Sequence, residues 1–403
     1  MRSILVIINP IAGVRPKDEI PALVNKIMPK SEGFDVDIRF TEHAGHASEM
    51  AKEAVANGID TVVAIGGDGT INETGRSLIG SQVKFGIVPM GSGNGLARHI
   101  QIPLDIQKAL ECIRDGYYER VDYGTVNEHI FFCTAGIGFD AEVSAKFAES
   151  GSRGPVNYVR SFMQLVGDYK PSTYIIHTDD GRVKEKAVLI AIGNASQWGN
   201  NAYITPQASM TDGLFDVTLI KPLPFIEIPK MTMQLFTREL DQNPHTLTFR
   251  SSHLRIFMPH PSAVHVDGEP MQMEGVIDIQ MHPKQLNIIC PEHPDSSVLE
   301  PIRYAFEDIH YSILGNIKKG VERFEEFNRP VIQAAEQLTK PLAKTTEQIA
   351  KPLTKTAEQL TKPVTKAAET LHTALFKRKP STPKRKGAVI EPDEQNDEQM
   401  QEP

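Results

Sequence analysis

Gly66-Gly67-Asp68-Gly69-Thr70-Ile71-Asn72-Glu73 follows the apolar run Thr61–Ile65 and opens a helical pattern. Three glycines in four positions let backbone N–H groups approach a phosphate without side-chain collision. The N-terminus of the following helix adds positive potential. A tight turn alone explains two glycines but not Asp68, Asn72 and Glu73 around them. An aspartate in an anion site repels phosphate unless Mg²⁺ or a proton-donating substrate intervenes. The stretch is neither a G-x-x-x-x-G-K-[ST] loop nor a GxGxxG fingerprint. Working outward, the runs Ile4–Ile8, Phe34–Phe40 and Lys84–Val88 also read as strands. Pro21–Met28 and Ala47–Asn57 read as helices between them, the second closed by Gly58. Strands separated by helices imply a parallel sheet. Asn9-Pro10-Ile11-Ala12-Gly13 follows the first strand, and Pro89-Met90-Gly91-Ser92-Gly93-Asn94-Gly95 follows Lys84–Val88. Loops at the carboxyl ends of parallel strands share one crevice, so these three loops predict a nucleotide cleft.

From about residue 126 the pattern becomes all-β. Val126–Thr134, Thr173–His177, Ala187–Ile192, Phe215–Ile220, Leu254–Met258, Ala263–Val266, Val276–Met281 and Gln285–Ile289 are strand candidates, with a helix expected near 155–169. Here Val266-Asp267-Gly268-Glu269 places two carboxylates either side of one glycine. It reads as a hairpin turn, or as a general base for a hydroxyl with a second acid orienting it. Ser209-Met210-Thr211-Asp212-Gly213-Leu214 is another acidic turn, either a plain β-turn or a one-carboxylate metal loop. His43 and His46 are expected to cap or pack rather than to ligate a metal. Cys112, Cys133 and Cys290 are odd in number and in no CxxC, which predicts neither a disulfide framework nor structural zinc and suits a reducing cytosol.

The 403 residues carry a net charge of −8, unevenly spread. Residues 329–386 hold 13 Lys/Arg against 4 Asp/Glu, and residues 387–403 hold six acids and no base. The first 328 residues are therefore at −11, which argues against nucleic acid as a partner. No stretch reaches about 18 apolar residues, so a membrane span is not expected. Residues 298–328 show helical spacing. Arg329-Pro330, Lys340-Pro341, Lys351-Pro352 and Lys362-Pro363 then recur every 11 residues. This tail reads as an interfacial amphipathic helix or as a polar spacer. Its prolines, at about 3 kcal/mol each, oppose a continuous helix. Residues 377–403 have the composition of a disordered tail.

Together these residues resemble the diacylglycerol kinase catalytic-domain family, which includes bacterial lipid kinases and the sphingosine and ceramide kinases. The likeness runs over about residues 1–291. It rests on Asn9-Pro10-x-Ala12-Gly13, Thr41 with Gly45-His46-Ala47, Gly66–Glu73, Pro89-x-Gly91-Ser92-Gly93-Asn94, Asp122-x-Gly124, Ala135–Asp140, Asn194, Pro206-x-Ala208, Asp212-Gly213 and Asp267-Gly268-Glu269. The resemblance implies an α/β domain over 1–125, with a parallel sheet of the NAD kinase/phosphofructokinase type. It implies a β-sandwich lipid-substrate domain over 126–297, followed by a helical repeat segment (298–376) and the tail (377–403). It implies an ATP- and Mg²⁺-dependent kinase acting on a lipid hydroxyl, with diacylglycerol as the default acceptor and phosphatidic acid as product. Asn9, Thr41, Gly66, Gly67, Asp68, Gly69, Thr70, Asn72, Glu73, Gly91, Ser92 and Asn94 would contact the nucleotide. Glu269 would accept the proton, Asp267 would support it, and Asp68 would lie near the transferring phosphate. Asp140 would face the lipid head group. Asp212, with the carbonyls of Ser209 and Leu214, would form a structural Mg²⁺ site. The expected location is cytoplasmic, with peripheral contact at the inner membrane face through the tail; a homodimer is left open.

The chain departs from the pattern at Gly95, where many bacterial relatives carry an acid. Gly91–Gly95 is closer to the sphingosine and ceramide kinase form, so a sphingoid acceptor stays open. An NAD kinase shares the Gly-Gly-Asp-Gly-Thr loop, but Asn72-Glu73 and Asp267-Gly268-Glu269 stand against it. A catalytically dead scaffold that binds lipid through the tail is the non-enzymatic alternative.

Overall fold

The computed structural model describes residues 1–13, 18–139, 141, 170–224 and 227–292. Asp140, the helix expected near 155–169, the 298–376 segment and the 377–403 tail lie outside the described residues. The N-terminal part alternates β1 (Arg2–Ile8), α1 (Ile20–Ile27), β2 (Phe34–Phe40), α2 (His46–Ala56), β3 (Thr61–Gly66), α3 (Asp68–Leu78), β4 (Lys84–Pro89), α4 (Gly95–His99) and α5 (Ile106–Asp115). Its four strands pair in parallel in the order β2-β1-β3-β4. β3 and most of β1 and β4 are buried, because helices cover both faces of a parallel sheet. Local chemistry sets the helix ends. The Asp105 side chain accepts from the Lys108 N–H at the start of α5, and Gly116 closes it at φ +75°.

The second part is antiparallel. It contains β5 (Tyr118–Val126), β6 (His129–Phe131), β7 (Thr134–Gly138), β8 (Ser172–Thr178), β9 (Gly181–Ala187), β10 (Leu189–Gly193), β11 (Phe215–Ile220), α6 (Ile228–Thr237), β12 (Thr246–Ser251), β13 (His253–Phe257), β14 (Ser262–Val266), β15 (Glu269–Met273) and β16 (Val276–Ile289). One sheet runs β12-β11-β10-β7-β14-β15; the other contains β16-β13-β8-β9 with β5 and β6. Their facing side chains, among them Phe131, Ile176, Phe215, Val217, Ile256, Val264 and Ile279, form a single apolar core. The α/β-plus-sandwich architecture expected from the sequence is therefore present. The end of β16 also pairs in parallel with β4, Asn287 opposite Lys84, so the last described strand closes onto the N-terminal sheet.

Two strand readings need correction. Val126–Thr134 is not one strand. Asn127 adopts φ +51°, and Val126 pairs with His129 across the tight turn between β5 and β6. Conversely, Val276–Met281 and Gln285–Ile289 are one strand with an irregularity between His282 and Leu286.

Candidate active site

The three glycine-rich loops meet at the carboxyl ends of β1, β3 and β4. The Asn9 N–H donates to the Ile65 carbonyl (3.0 Å), and the Met90 N–H donates to the Gly66 carbonyl (2.7 Å). The Asn9 Nδ2 donates to Thr70 Oγ1 at 2.8 Å, tying the first loop to the first turn of α3. A Cβ on Gly66 would sit 2.7 Å from the Thr70 Cβ, whereas one on Gly69 would meet nothing within 4 Å. Gly66 is thus required by packing, while Gly69 leaves room above the helix start, as a phosphate cradle needs. Thr41 leaves β2 beside them, its N–H on the Ile8 carbonyl. The Gly45 N–H donates to Glu73 Oε2 at 3.2 Å, so Glu73 fixes the loop that carries Thr41. Asn94 folds its own loop: its Oδ1 accepts from the Gly91 N–H and its Nδ2 donates to the Gly91 carbonyl. Ser92 is exposed in that loop, and Asn72 is buried in α3. Gly66→Ala is expected to displace Thr70 from Asn9 and to weaken phosphate-ligand binding at this cradle about tenfold or more in an equilibrium titration.

Asp68 has a defined job. Its Oδ2 accepts from the Asn94 N–H and its Oδ1 from the Gly95 N–H, both at 3.0 Å, so it joins the second loop to the start of α4. That loop in turn meets the sandwich. The Asn200 N–H and the Arg98 Nε both donate to the Gly93 carbonyl (3.2 and 3.1 Å). A Cβ on Gly95 would lie 3.3 Å from the Trp198 carbonyl, which gives the departure at this position a steric reason.

His99 completes the junction. The Ser196 N–H donates to its Nδ1 at 3.0 Å, so the neutral ring carries its proton on Nε2. Burial, helped by the charge of Arg238, holds its pKa down at about 4. A free histidine titrates near 6.5, so the unfolded chain binds the extra proton first. The stability from a neutral His99 is complete above pH 6.5 and is lost as pH falls towards 4. The ring is partly exposed, so the expected loss is about 2 kcal/mol rather than the full shift. His99→Gln should flatten denaturant-measured stability across that window.

The β14–β15 hairpin supplies the other side. Val266 pairs with Glu269, and Asp267 and Gly268 turn at φ +49° and +83°. The stretch is therefore a hairpin turn, and it presents the Glu269 carboxylate at its end. Asp267 is half-buried and accepts from the backbone N–H groups of Phe132 (2.8 Å), Cys133 (2.8 Å) and Thr134 (3.1 Å). Burial pushes its pKa up, and the three amides and the charge of Arg76 oppose the shift. Asp267 thus secures the turn. Glu269 is the exposed acid, and its Oε2 lies 3.8 Å from Arg76 Nη1 of α3. The helix that starts at the phosphate loop therefore meets the acidic hairpin at its far end. Cys133 lies between the two acids, its thiol pushed well up by burial first and then by Asp267 and Asp68. That makes it an inert packing group.

Other motif residues are scaffold. Asp122 accepts from the Gly213 N–H (2.8 Å) and the Lys284 N–H (2.7 Å), and Asn194 donates to the carbonyls of Asp122 and Phe132. The Asp212 turn brings the expected cation-site residues Ser209, Asp212 and Leu214 together with Arg250. Asp212 Oδ2 is ion-paired to Arg250 at 2.9 Å, its Oδ1 accepts from the Leu214 N–H, and the Ser209 hydroxyl contacts Thr211. A cation at this turn would share the Asp212 carboxylate with Arg250 and draw on the Ser209 and Leu214 carbonyls. Asp68 fits a cation as well. A carboxylate has about four lone-pair sites, and its two amide bonds leave others for a cation at the cradle. His43 and His46, expected only to cap or pack, stack at 4.7 Å, and their ligand atoms lie within 4.8 Å of Glu49's. His46 Nδ1 accepts from the Glu42 N–H, which leaves its neutral ring with a donor at Nε2 rather than a ligand.

Sequence reasoning missed Arg76, His99 and Arg250. Arg76 had a signal, since Gly69, Glu73 and Arg76 follow i, i+4, i+7 along one face of α3. His99 and Arg250 had none, because each meets its partner only through the fold.

Comparison with known proteins agrees with the two-part architecture. Residues 3–126 match the diacylglycerol kinase catalytic domain, and residues 133–290 match the YegS C-terminal NAD kinase beta sandwich-like domain. The chain is 30% identical over 247 residues to a probable lipid kinase YegS-like protein of Klebsiella pneumoniae (strain 342), covering 60% of this chain and 82% of that one. It is 29% identical over 289 residues to a probable lipid kinase YegS of Escherichia coli O6:K15:H31 (strain 536 / UPEC), covering 70% and 94%. A putative diacylglycerol kinase structure from Bacillus anthracis str. Sterne superposes with a TM-score of 0.60 at 23% identity, covering 72% of this chain and 96% of that one. At that identity the likeness speaks to fold.

Proposed function

Because the chain belongs to the diacylglycerol kinase catalytic-domain family, we propose that it is a lipid kinase that moves the γ-phosphoryl group of ATP to the hydroxyl of diacylglycerol, giving phosphatidic acid. One observation carries the reading: three glycine-rich loops form a single cradle, and a hairpin carboxylate, Glu269, faces the helix that rises from it. The amides around Gly67–Thr70, with those of Ser92 and Gly93, hold the phosphates. Glu269 takes the hydroxyl proton as the lipid oxygen bonds to the γ-phosphorus and the bond to the β-bridging oxygen breaks, releasing ADP. Mg²⁺ bound with the nucleotide would spread the developing charge, and Asp68 is the residue that would hold it. Asp267 and Arg76 keep the hairpin and the cradle helix at a fixed separation, so acceptor and donor meet in line.

The test is γ-labelled ATP and Mg²⁺ with purified protein and a panel of diacylglycerol, monoacylglycerol, sphingosine, ceramide and phosphatidylglycerol, with NAD as control. Label in diacylglycerol is the expected result. Label in sphingosine or ceramide alone would change the acceptor, consistent with the Gly91–Gly95 loop. Label only in NAD, or none despite ATP binding, would overturn the lipid kinase reading. Among the described residues no helix is long and apolar enough to cross a membrane. Access to a bilayer acceptor is assigned to the basic 329–386 segment. Deleting 329–403 should spare turnover on detergent-dispersed lipid and weaken co-sedimentation with anionic vesicles. Unchanged sedimentation would dismiss that role.

A further inference from the structure

Arg76 belongs to none of the phosphate loops, yet three observations converge on it. It lies two turns beyond Asp68 on α3, on the face shared with Gly69 and Glu73. It reaches across to the hairpin, with Nη1 3.8 Å from Glu269 Oε2 and its charge also acting on Asp267. Its Nε is buried without a partner, although guanidinium is a planar fork of five donors. The setting explains the need for a cation. Asp68, Asp267 and Glu269 already gather negative charge there, and a nucleoside triphosphate adds more. A carboxylate that must approach the acceptor hydroxyl would be driven from the phosphates by repulsion. An exposed glutamate on a turn has rotamers that point elsewhere, and a fixed fork selects among them.

We infer that Arg76 is a positioning residue for phosphoryl transfer: it holds the Glu269 carboxylate against α3, facing the acceptor hydroxyl, and offsets its repulsion from the triphosphate. This rests on the kinase reading above and deepens it. The ion pair joins the helix of the phosphate cradle to a hairpin of the sandwich, so it also sets the gap between base and donor. Arg76 touches neither the acceptor nor the transferred phosphorus. Its loss should therefore fall on the chemical step rather than on ATP binding.

The test compares wild type, Arg76→Met, Arg76→Lys, Glu269→Gln and the Arg76→Met/Glu269→Gln double variant, with whichever acceptor wild type labels. Thermal melts would confirm that each variant is folded. Arg76→Met should lower kcat about 30-fold with the ATP KM within about twofold, and Arg76→Lys should recover most of that loss. The double variant should be no more than about twofold slower than Glu269→Gln alone, because residues acting as a unit are not additive. Multiplying losses, or a raised ATP KM with kcat intact, would overturn the assignment. A second readout needs no turnover: the rate of Arg76 modification by phenylglyoxal, followed by mass spectrometry. It should be several-fold slower in wild type than in Glu269→Gln. Equal rates would remove the ion pair even if the protein phosphorylates none of the panel lipids, so the positioning claim and the lipid kinase reading can fail separately.

Discussion

Glu269→Gln is expected to lower kcat for lipid phosphorylation about a thousandfold while leaving ATP affinity within about twofold. General base catalysis contributes about 10² to 10⁴, and glutamine keeps the size and one acceptor oxygen while losing the lone pair that takes a proton. Nothing in the cradle depends on Glu269. The Asn9–Thr70, Asp68–Asn94 and Asn94–Gly91 bonds are all made within the N-terminal loops. The two expectations are read by different measurements, steady-state turnover at saturating lipid and an equilibrium titration with ATP. Turnover within about fivefold of wild type would remove Glu269 as the base. Normal turnover with weakened ATP binding would instead make it a nucleotide ligand.

The parts of this design that were legible in the sequence share a cause. β1, β3 and β4 are buried by helices on both faces, so they appear as unbroken apolar runs, and each is followed by a loop whose glycines are needed for backbone approach. That pattern is local, and it places Asn9, Gly66–Glu73 and Gly91–Asn94 in one crevice without coordinates. Of the strands that escaped notice, β5 lies between β16 and β6, whereas the other three are at sheet edges. β9 (Gly-Arg-Val-Lys-Glu-Lys-Ala), β12 and β15 have few apolar residues because an edge strand carries charge and polarity that block further pairing. The same locality decided the site residues. Asp68 was legible as an important acid, but not its two amide partners 26 and 27 residues away. The Arg250 partner of Asp212 is likewise invisible from its neighbourhood in the chain. The pairing of Glu269 with Arg76 spans most of the described fold, so no spacing rule could announce it.

Asp267→Ala should be the most destabilising single change at the site, by about 4 kcal/mol. Three backbone N–H groups, of Phe132, Cys133 and Thr134, donate to this one half-buried carboxylate. Each buried donor left unpaired costs about 1–3 kcal/mol. Alanine also inherits φ +49°, a left-handed conformation that costs a residue with a Cβ about 1 kcal/mol more. Removing the carboxylate also relieves a charge whose pKa burial raises, and that gain offsets part of the loss. Asp267→Asn separates these contributions. Asparagine tolerates the left-handed conformation, and its oxygen can keep the two N–H groups that converge on Oδ1, those of Cys133 and Thr134. Its NH₂ would then oppose the Phe132 N–H. The expected order of stability is wild type, then Asn, then Ala, with Asn losing about half as much as Ala, read from denaturant midpoints at pH 7. Since a carboxyl with a raised folded pKa favours folding more as pH falls through the window above 3.8, the gap between wild type and Asp267→Asn should widen on acidification. An alanine variant as stable as wild type would mean that water satisfies the three amides.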